Sequence, residues 1–371
     1  MFVTRRIICF FVVKLVFMIE TMGIQVTRAG VSKLHDVNFE NLPFGRYFTD
    51  HMLEADFENG EWKSAEIKPY QPLLLEPSTA ALHYGQSIFE GIKAYKDQNG
   101  QAQIFRPYDN LKRFNISAQR MEMPAVPDEL FIEGMKQLIA LDHNWIPAKP
   151  DYSLYIRPLL FATDALIGVK PSESFKFLIL LCPTGPYYSA PMRIYVEEKY
   201  SRAAPGGVGF AKNAGNYAGA MYPTVLAKKQ GYDQVLWTDA FEHKWLQEVG
   251  TMNVFFVFGN LAVTPSLEEE TILAGVTRDS VVSLLQEMGL AVEERKIHID
   301  EVTHAYREGK LTEVFGTGTA ATISPIKELR YKDFDMHFDV ASWKIAPGIK
   351  RRLTDIREGR VADTHGWMLK I

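Results

Sequence analysis

The sequence predicts an α+β protein. Short apolar strands and amphipathic helices are interspersed from about residue 36 onward, without the regular βαβ spacing that marks a parallel α/β sheet. Near mid-chain, CPTGPYYSAPM (residues 182–192) holds three prolines, a glycine and a serine, the composition of a domain linker. A length of 371 residues fits two domains. We expect an N-terminal extension over residues 1–30, a small domain over 31–185, and a larger domain over 186–371 that includes the linker.

Each element has a local reason. Ala102–Phe105 reads as a strand. Asp109 through Met123 reads as a helix, with Asp109 placed to cap it and Pro124 just past its end. A second helix is expected over Pro127–His143, and strands at Leu154–Ile156 and Phe175–Leu181. Beyond the linker, strands are expected at Arg193–Val196, Gln234–Trp237, Val254–Phe258 and Ala262–Thr264. A helix over Thr277–Met288 puts Val281, Val282, Leu284, Leu285 and Met288 on one face, and Gly289 stops it. Helices near Asp300–Glu308 and Ala341–Arg357 complete the outline.

Composition excludes some classes of function. A chain that is 47% hydrophobic and 23% charged is an ordinary globular protein, and a net charge of −4 offers no electrostatic case for nucleic acid. The two cysteines, Cys9 and Cys182, form neither a disulfide framework nor a CxxC pair, which fits a reducing compartment and a cytoplasmic location. The nine histidines show no metal-ligand spacing. At the N-terminus, RRIICFFVVKLVFM (5–18) puts two arginines before an apolar run that Lys14 interrupts and that is too short to span a bilayer. An extended start, with Met18 or Met22 as the working initiator, stands against a targeting segment. No membrane span is expected.

Four segments carry candidate chemistry. In PGGVGFAKNAGNYAGA (205–220), nine of sixteen residues are Gly or Ala, and Lys212 stands among them with Tyr217 five residues on. Small residues let backbone approach a flat ligand, and a desolvated lysine favours the free amine that Schiff-base chemistry requires. In LQEVGTMN, Glu248 is flanked by apolar residues, and a buried carboxylate needs a partner such as a ring nitrogen. In FGTGTAA (315–321), Thr317 and Thr319 alternate with glycines, and Ala274–Arg278 opens a helix; both suit a phosphate. In DNLKRF, Arg113 is a candidate phosphate clamp, and Arg106 competes for that role. Taken singly, each has a plainer alternative: a flexible loop, a surface glutamate, a turn, an exposed helix arginine. Together they supply the parts of a pyridoxal-phosphate (PLP) site.

These residues also carry a resemblance. LHYGQSIFEGIKAY (82–95), FRPYDNLKRF (105–114), SLYIRP (153–158), GGVGFAKNAGNY (206–217), QVLWTD (234–239), LQEVGTMNVFFV (246–257) and EVFGTGTAATISPI (313–326) resemble, in order, the branched-chain amino acid aminotransferases, from about Asn41 to the C-terminus. The resemblance implies the fold of the fold-type IV PLP enzymes, with a small N-terminal α/β domain and a larger PLP-binding domain around a β-barrel-like core. It implies Lys212 as the Schiff-base lysine that later moves the proton between Cα and C4′, Glu248 as partner of the ring nitrogen, and Tyr217 near the phenolic oxygen. Arg113, Val276, Thr277 and Thr319 match the phosphate cradle, Arg202 a second arginine close to the cofactor, and Thr251 a threonine beside the ring. Phe44, Tyr84, Phe89, Tyr155 and Tyr187 match the aromatic walls of the side-chain pocket, and Arg157 a residue that admits the glutamate side chain. The α-carboxylate is expected at the Thr319–Ala320 turn.

The implied partners are small molecules, namely branched-chain L-amino acids, 2-oxoglutarate and glutamate. The implied assembly is a homodimer or higher oligomer, with a loop of one small domain closing the partner's site. One departure stands out: Ala321–Ser324 replaces the CxxC pair that some animal members carry there, so no thiol redox switch is expected. D-amino acid aminotransferase and aminodeoxychorismate lyase share the fold; EGIKAY, LQEVGTMN and the aromatic set argue against both. A non-catalytic PLP-binding protein is disfavoured because every expected catalytic position is filled.

Overall fold

A computed structural model describes residues 23–187 and 190–371; the apolar run at 5–18, Met18, Met22 and Cys9 lie outside the described residues. The first half builds around one mixed sheet. Its strands are β1 (Gln25–Val26), β2 (His51–Glu58), β3 (Glu61–Trp62), β4 (Glu66–Pro69), β5 (Ser87–Phe89), β6 (Ile92–Lys96), β7 (Ala102–Phe105), β8 (Ser153–Ala162) and β9 (Phe175–Thr184). The helices of this half are α1 (Ala80–Tyr84), α2 (Pro107–Arg120) and α3 (Gly134–Leu141).

The second half holds β10 (Met192–Val196), β11 (Gln234–Thr238), β12 (Leu246–Val249), β13 (Asn253–Phe258), β14 (Leu261–Thr264), β15 (Ala291–Glu294), β16 (Leu311–Gly318), β17 (Thr322–Tyr331) and β18 (Phe334–His337). Its helices are α4 (Ala214–Lys229), α5 (Val276–Glu287), α6 (Ile299–Arg307) and α7 (Ile345–Arg357). The second sheet runs β12-β11-β10-β17-β16-β13-β14-β15, with β18 on β17. Register shifts at Met192/Arg193, Leu236/Thr238 and Val257/Phe258 add the local twist that curls such a sheet toward a barrel. The last strand, β19 (Met368–Lys370), crosses back to pair with β7, giving the first sheet the order β1-β4-β2-β9-β8-β6-β7-β19, with β3 on β2 and β5 on β8. The fold class is α+β. Among the described residues, no helix is long and apolar enough to cross a membrane.

Apolar periodicity explains the packing. Leu111, Phe114 and Ala118 fall on one face of α2 and join the first core with Phe131 and Phe177. Phe114 lies 5.5 Å from the Phe131 ring and 5.9 Å from that of Phe177. The second sheet is covered on both sides: Val254 and Phe256 point into one core, Phe255 and Val257 into another beneath α5 and α7.

The boundaries differ from the sequence expectations where turn chemistry intervenes. Helix α2 starts at Pro107, and its N-cap is Arg106 rather than Asp109. Arg106 sits at φ +49°, held there by its N–H to Trp367 O at 2.7 Å and by its side chain on Asp109 and Asp279. The expected helix over 127–143 is a π turn at Glu129–Glu133 followed by α3 and a short 3₁₀ turn at His143–Trp145. Strand β9 continues through Cys182, Pro183 and Thr184, which pair with Tyr155, Leu154 and Ser153, so the connecting segment begins after Thr184 rather than at 182. The C-terminal helix starts at Ile345, with Pro347 in its first turn, rather than at Ala341. Residues 315–318 are the end of β16 rather than loop.

Candidate active site

Lys212 sits where the two halves meet. Its carbonyl accepts from Phe89 N on β5 at 3.1 Å, and its N–H donates to Ser117 Oγ on α2 at 2.9 Å. The next residue, Asn213, bridges Ile88 and caps α4, accepting from Asn216 N. The second half of the Gly/Ala-rich stretch is therefore helix, not loop. One turn into α4, Tyr217 presents its Oη 2.8 Å from Lys212 Nζ, which also lies 5.0 Å from the Phe89 ring centroid.

Nζ opens into a cavity of about 430 Å³. On its floor, the buried Glu248 carboxylate accepts from Leu273 N at 2.7 Å and Asn253 Nδ2 at 3.2 Å, and pairs with Arg202 Nε at 3.0 Å. Arg202 stands behind Glu248, outside the cavity lining. The tight turn between β12 and β13 passes through Gly250 at φ +58°, where a Cβ would fall 2.8 Å from Gln234 Oε1, and it places Thr251 at the cavity edge.

At one end, Gly275, Val276 and Thr277 bring the N-terminus of α5 to the cavity with no side-chain cap, so its first N–H groups are free for an anion. A Cβ at Gly275 would fall 2.1 Å from Asn253 Oδ1, so the close approach requires glycine. Arg113 enters beside this end. Its Nε and Nη2 each donate to the fully buried Glu90 carboxylate at 2.7 Å, and Nη1 donates to Ala274 O at 2.9 Å. Burial, the largest influence, lowers the guanidinium pKa, but the charge and hydrogen bonds of Glu90, with Tyr217 and Glu248, together outweigh it and hold the value raised. Arg106 points away, onto Asp279 and Ser280 Oγ.

At the other end, Phe44, Phe89, Tyr155 and Tyr187 wall the space. Phe44 meets Tyr155 and Tyr187 edge to face, both at 4.9 Å. Arg157 lies 4.5 Å from the Phe89 centroid, donates to Tyr155 Oη at 3.0 Å, and is fixed by Glu90 O at 3.0 Å. A Cβ at Gly91 would strike Tyr155 Oη at 2.2 Å. Thr319 and Ala320 line the wall across from these rings.

The chain is similar to known proteins along most of its length. The family model of amino-transferase class IV matches residues 87–329. A probable branched-chain-amino-acid aminotransferase of Staphylococcus epidermidis is 47% identical, over 89% of this chain and 94% of its own length. Branched-chain-amino-acid transaminase 1 of Bacillus subtilis is 46% identical over the same shares. The chain belongs to the class IV aminotransferases. Among solved structures, the Escherichia coli branched-chain amino acid aminotransferase superposes with TM-score 0.71 at 26% identity, covering 86% of this chain and 98% of that one. The branched-chain amino acid aminotransferase of T.th., complexed with N-(5'-phosphopyridoxyl)-L-glutamate, superposes with TM-score 0.68 at 26% identity, covering 85% of this chain and 97% of that one.

Class IV aminotransferases use PLP. The residues of this aminotransferase fit that cofactor on their own chemistry. A buried carboxylate on the floor suits a protonated ring nitrogen, and an uncapped helix end beside an arginine suits a phosphate. Among the described residues, Thr317 Oγ1, buried on the cavity lining, is without a hydrogen-bond partner and can donate to a phosphate oxygen.

Among the residues expected at the site, Tyr84 is not brought to this cavity. It ends α1 with 42% of its surface exposed, because Gly85 turns the chain away at φ +67°. Sequence reasoning missed Glu90, Ser117 and Asn253. The signal for Glu90 was the rule that a buried arginine needs a counter-charge, applied to the lone acid in the apolar run IFEGIKAY.

Proposed function

We propose that this enzyme transfers the amino group of L-leucine, L-isoleucine or L-valine to 2-oxoglutarate, giving the branched 2-oxo acid and L-glutamate. The observation that carries the reading is one cavity holding Lys212 and Glu248 at its centre, an uncapped helix end on one side, and an aromatic wall joined to a single arginine on the other. Relatives at 46–47% identity named for that activity support it.

PLP, when bound, supplies an aldehyde for covalent attachment of an amine and a ring that accepts electrons from the broken Cα–H bond. Lys212 is the residue that would hold it covalently at rest. Glu248, positioned by Arg202 Nε, Asn253 Nδ2 and Leu273 N, would face the ring nitrogen and favour its protonated form. Arg113, the N–H groups of Val276 and Thr277, and Thr317 and Thr319 would hold the phosphate. Lys212 Nζ, once free, would take the substrate Cα proton and deliver it to the C4′ carbon of the bound group, and would carry it the other way for the second substrate, with Tyr217 Oη orienting the amine. The amino acid would enter first, leave its amino group on the bound cofactor and depart as 2-oxo acid with the oxygen of one water; 2-oxoglutarate would then enter, take up that amino group with release of water, and depart as glutamate.

Specificity follows from the wall. An aliphatic side chain offers only apolar surface, which Phe44, Phe89 and Tyr155 match. Arg157, stacked on the Phe89 and Tyr155 rings and, among the described residues, paired with no carboxylate, meets the side-chain carboxylate of glutamate in the same space. The α-carboxylate rests at the Thr319–Ala320 turn. A homodimer is part of this reading: Met221, Tyr222 and Val225 expose apolar surface on α4 near the cavity mouth, and Tyr84 is assigned to the partner's site. So is a cytoplasmic location, which the buried free thiol of Cys182 suits.

The test is turnover of L-leucine, L-aspartate and D-alanine with 2-oxoglutarate as acceptor. L-leucine is expected to be the strong substrate. Preference for D-alanine, or no transfer from L-leucine by PLP-loaded protein, would overturn the proposal.

A further inference from the structure

We propose that Lys93 is a positioning residue for the Thr319–Ala321 turn, and that Arg357 tunes its hold, so that together they set the affinity of the site for carboxylates. The proposal rests on the assignment of the substrate α-carboxylate to that turn.

Lys93 belongs to β6, yet its side chain is buried, with only 6% exposed. Its Nζ donates to Ala320 O at 3.1 Å. The turn it grips is under backbone strain. Gly318 pairs with Thr322 across three intervening residues, and Thr322, β-branched, stands at φ +57°. Such a residue keeps that conformation only where its surroundings impose it. A buried ammonium bonded to the neighbouring carbonyl is such a constraint, and it also places a positive charge behind the carboxylate wall.

Arg357, on α7, is buried to 3% and faces the same small chamber as Lys93, Tyr95, Asn110, Thr277 and Thr319. Among the described residues its Nε is without a hydrogen-bond partner, while its guanidinium bonds Tyr95 and lies 4.1 Å from the Phe105 ring centroid. Neither cation makes an ion pair among the described residues. Two like charges buried together weaken each other. Burial first, and Arg357 second, bring the Lys93 pKa down to about 7. The groups acting on it are Arg357 and Lys350 of α7 and Asp151 before β8, with Tyr95 beside it on β6. Lys93 is therefore charged below about pH 7 and loses its charge as pH rises through that value. Carboxylate affinity falls in the same direction.

The experiment uses PLP-loaded enzyme titrated with 4-methylvaleric acid, followed by the cofactor absorbance, with its uncharged amide as control. Lys93→Met is expected to raise Kd for the acid about tenfold, the effect of one charge-assisted contact, and to leave that for the amide unchanged. KM for L-leucine and L-glutamate rises by a common factor, kcat changes less than about twofold, and PLP affinity is retained. Lys93→Arg restores acid binding. Arg357→Gln, which keeps Lys93 in place should the methionine variant not fold, moves the pH at which acid affinity declines to a higher value. Unchanged acid binding in Lys93→Met, a matching loss of PLP affinity, or a pH profile unmoved by Arg357→Gln overturns the proposal. If wild-type enzyme does not turn over L-leucine, the proposed function fails, while the acid titration still judges Lys93.

Discussion

At the scale of the residue, three ionisable side chains organise the cavity, and each has a distinct consequence. Lys212 is tied through its backbone to Phe89 and Ser117, so its side chain alone is free to move. Lys212→Ala is expected to abolish the cofactor absorbance near about 400 nm and to lower turnover of L-leucine by roughly 10²–10⁴-fold; full turnover in this variant contradicts its assignment. Glu90 neutralises Arg113 with two 2.7 Å hydrogen bonds. Glu90→Gln strands a buried guanidinium, and urea denaturation should register a loss of about 3–5 kcal/mol. Arg157→Met should raise KM for L-glutamate well above that for L-leucine, since only glutamate brings a second carboxylate to the wall; equal effects on both would place Arg157 elsewhere. Lys212, Tyr217, Glu248 and Arg113 were legible as residue types in suggestive surroundings. Glu90 and Asn253 were not, because a positioning role appears only when the groups they hold are seen side by side. Tyr84 was legible as an aromatic of the right motif, but the turn at Gly85 leaves it outside the cavity of its own chain.

At the scale of the element, packing periodicity is easier to read than turn chemistry. The strand at Ala102–Phe105 and the apolar faces of α2 and α5 follow the alternation and the helical repeat of their apolar residues. Phe114→Ala should cost about 3–5 kcal/mol, through the cavity left between Phe131 and Phe177. The start of α2 departs from expectation for a physical reason: Asp109 looks like a cap, but Pro107 fixes the helical φ two residues earlier, and contacts from distant residues impose the left-handed conformation at Arg106. Helix α4 is hidden in the sequence by its own glycines and Pro223, poor helix formers that packing over Val235 and Trp237 overrides.

One turn carries a pH signature. Asp239 accepts backbone N–H bonds from Phe241, Glu242, Lys244 and Trp245. Burial raises its pKa, but these bonds together outweigh it and lower the value from 3.8 to about 2. A folded pKa below the unfolded one stabilises the protein above about pH 4, and that stability is lost as pH falls toward about 2. Asp239→Asn should flatten this part of the acid-unfolding curve; an unchanged slope contradicts the assignment.

At the scale of the whole molecule, the two halves are stitched at the site itself. Lys212 and Asn213 reach back to β5 and α2, and β19 returns from the C-terminus to close the first sheet against β7. The α+β class was legible from the interspersed elements; the return of β19 was not, because three half-exposed residues carry no periodic signal of where they pair. The proposed homodimer predicts a sedimentation mass near twice 42.2 kDa, which a monomer would contradict. The central claim concerns the reaction, and the most direct measurement is the half-reaction of PLP-loaded enzyme, in which conversion of the cofactor to its amine form is followed spectroscopically for each amino acid. Rapid, complete conversion by L-leucine and L-glutamate, with little by L-aspartate and none by D-alanine, is the result the account predicts. Conversion by D-alanine with L-leucine inert would contradict it.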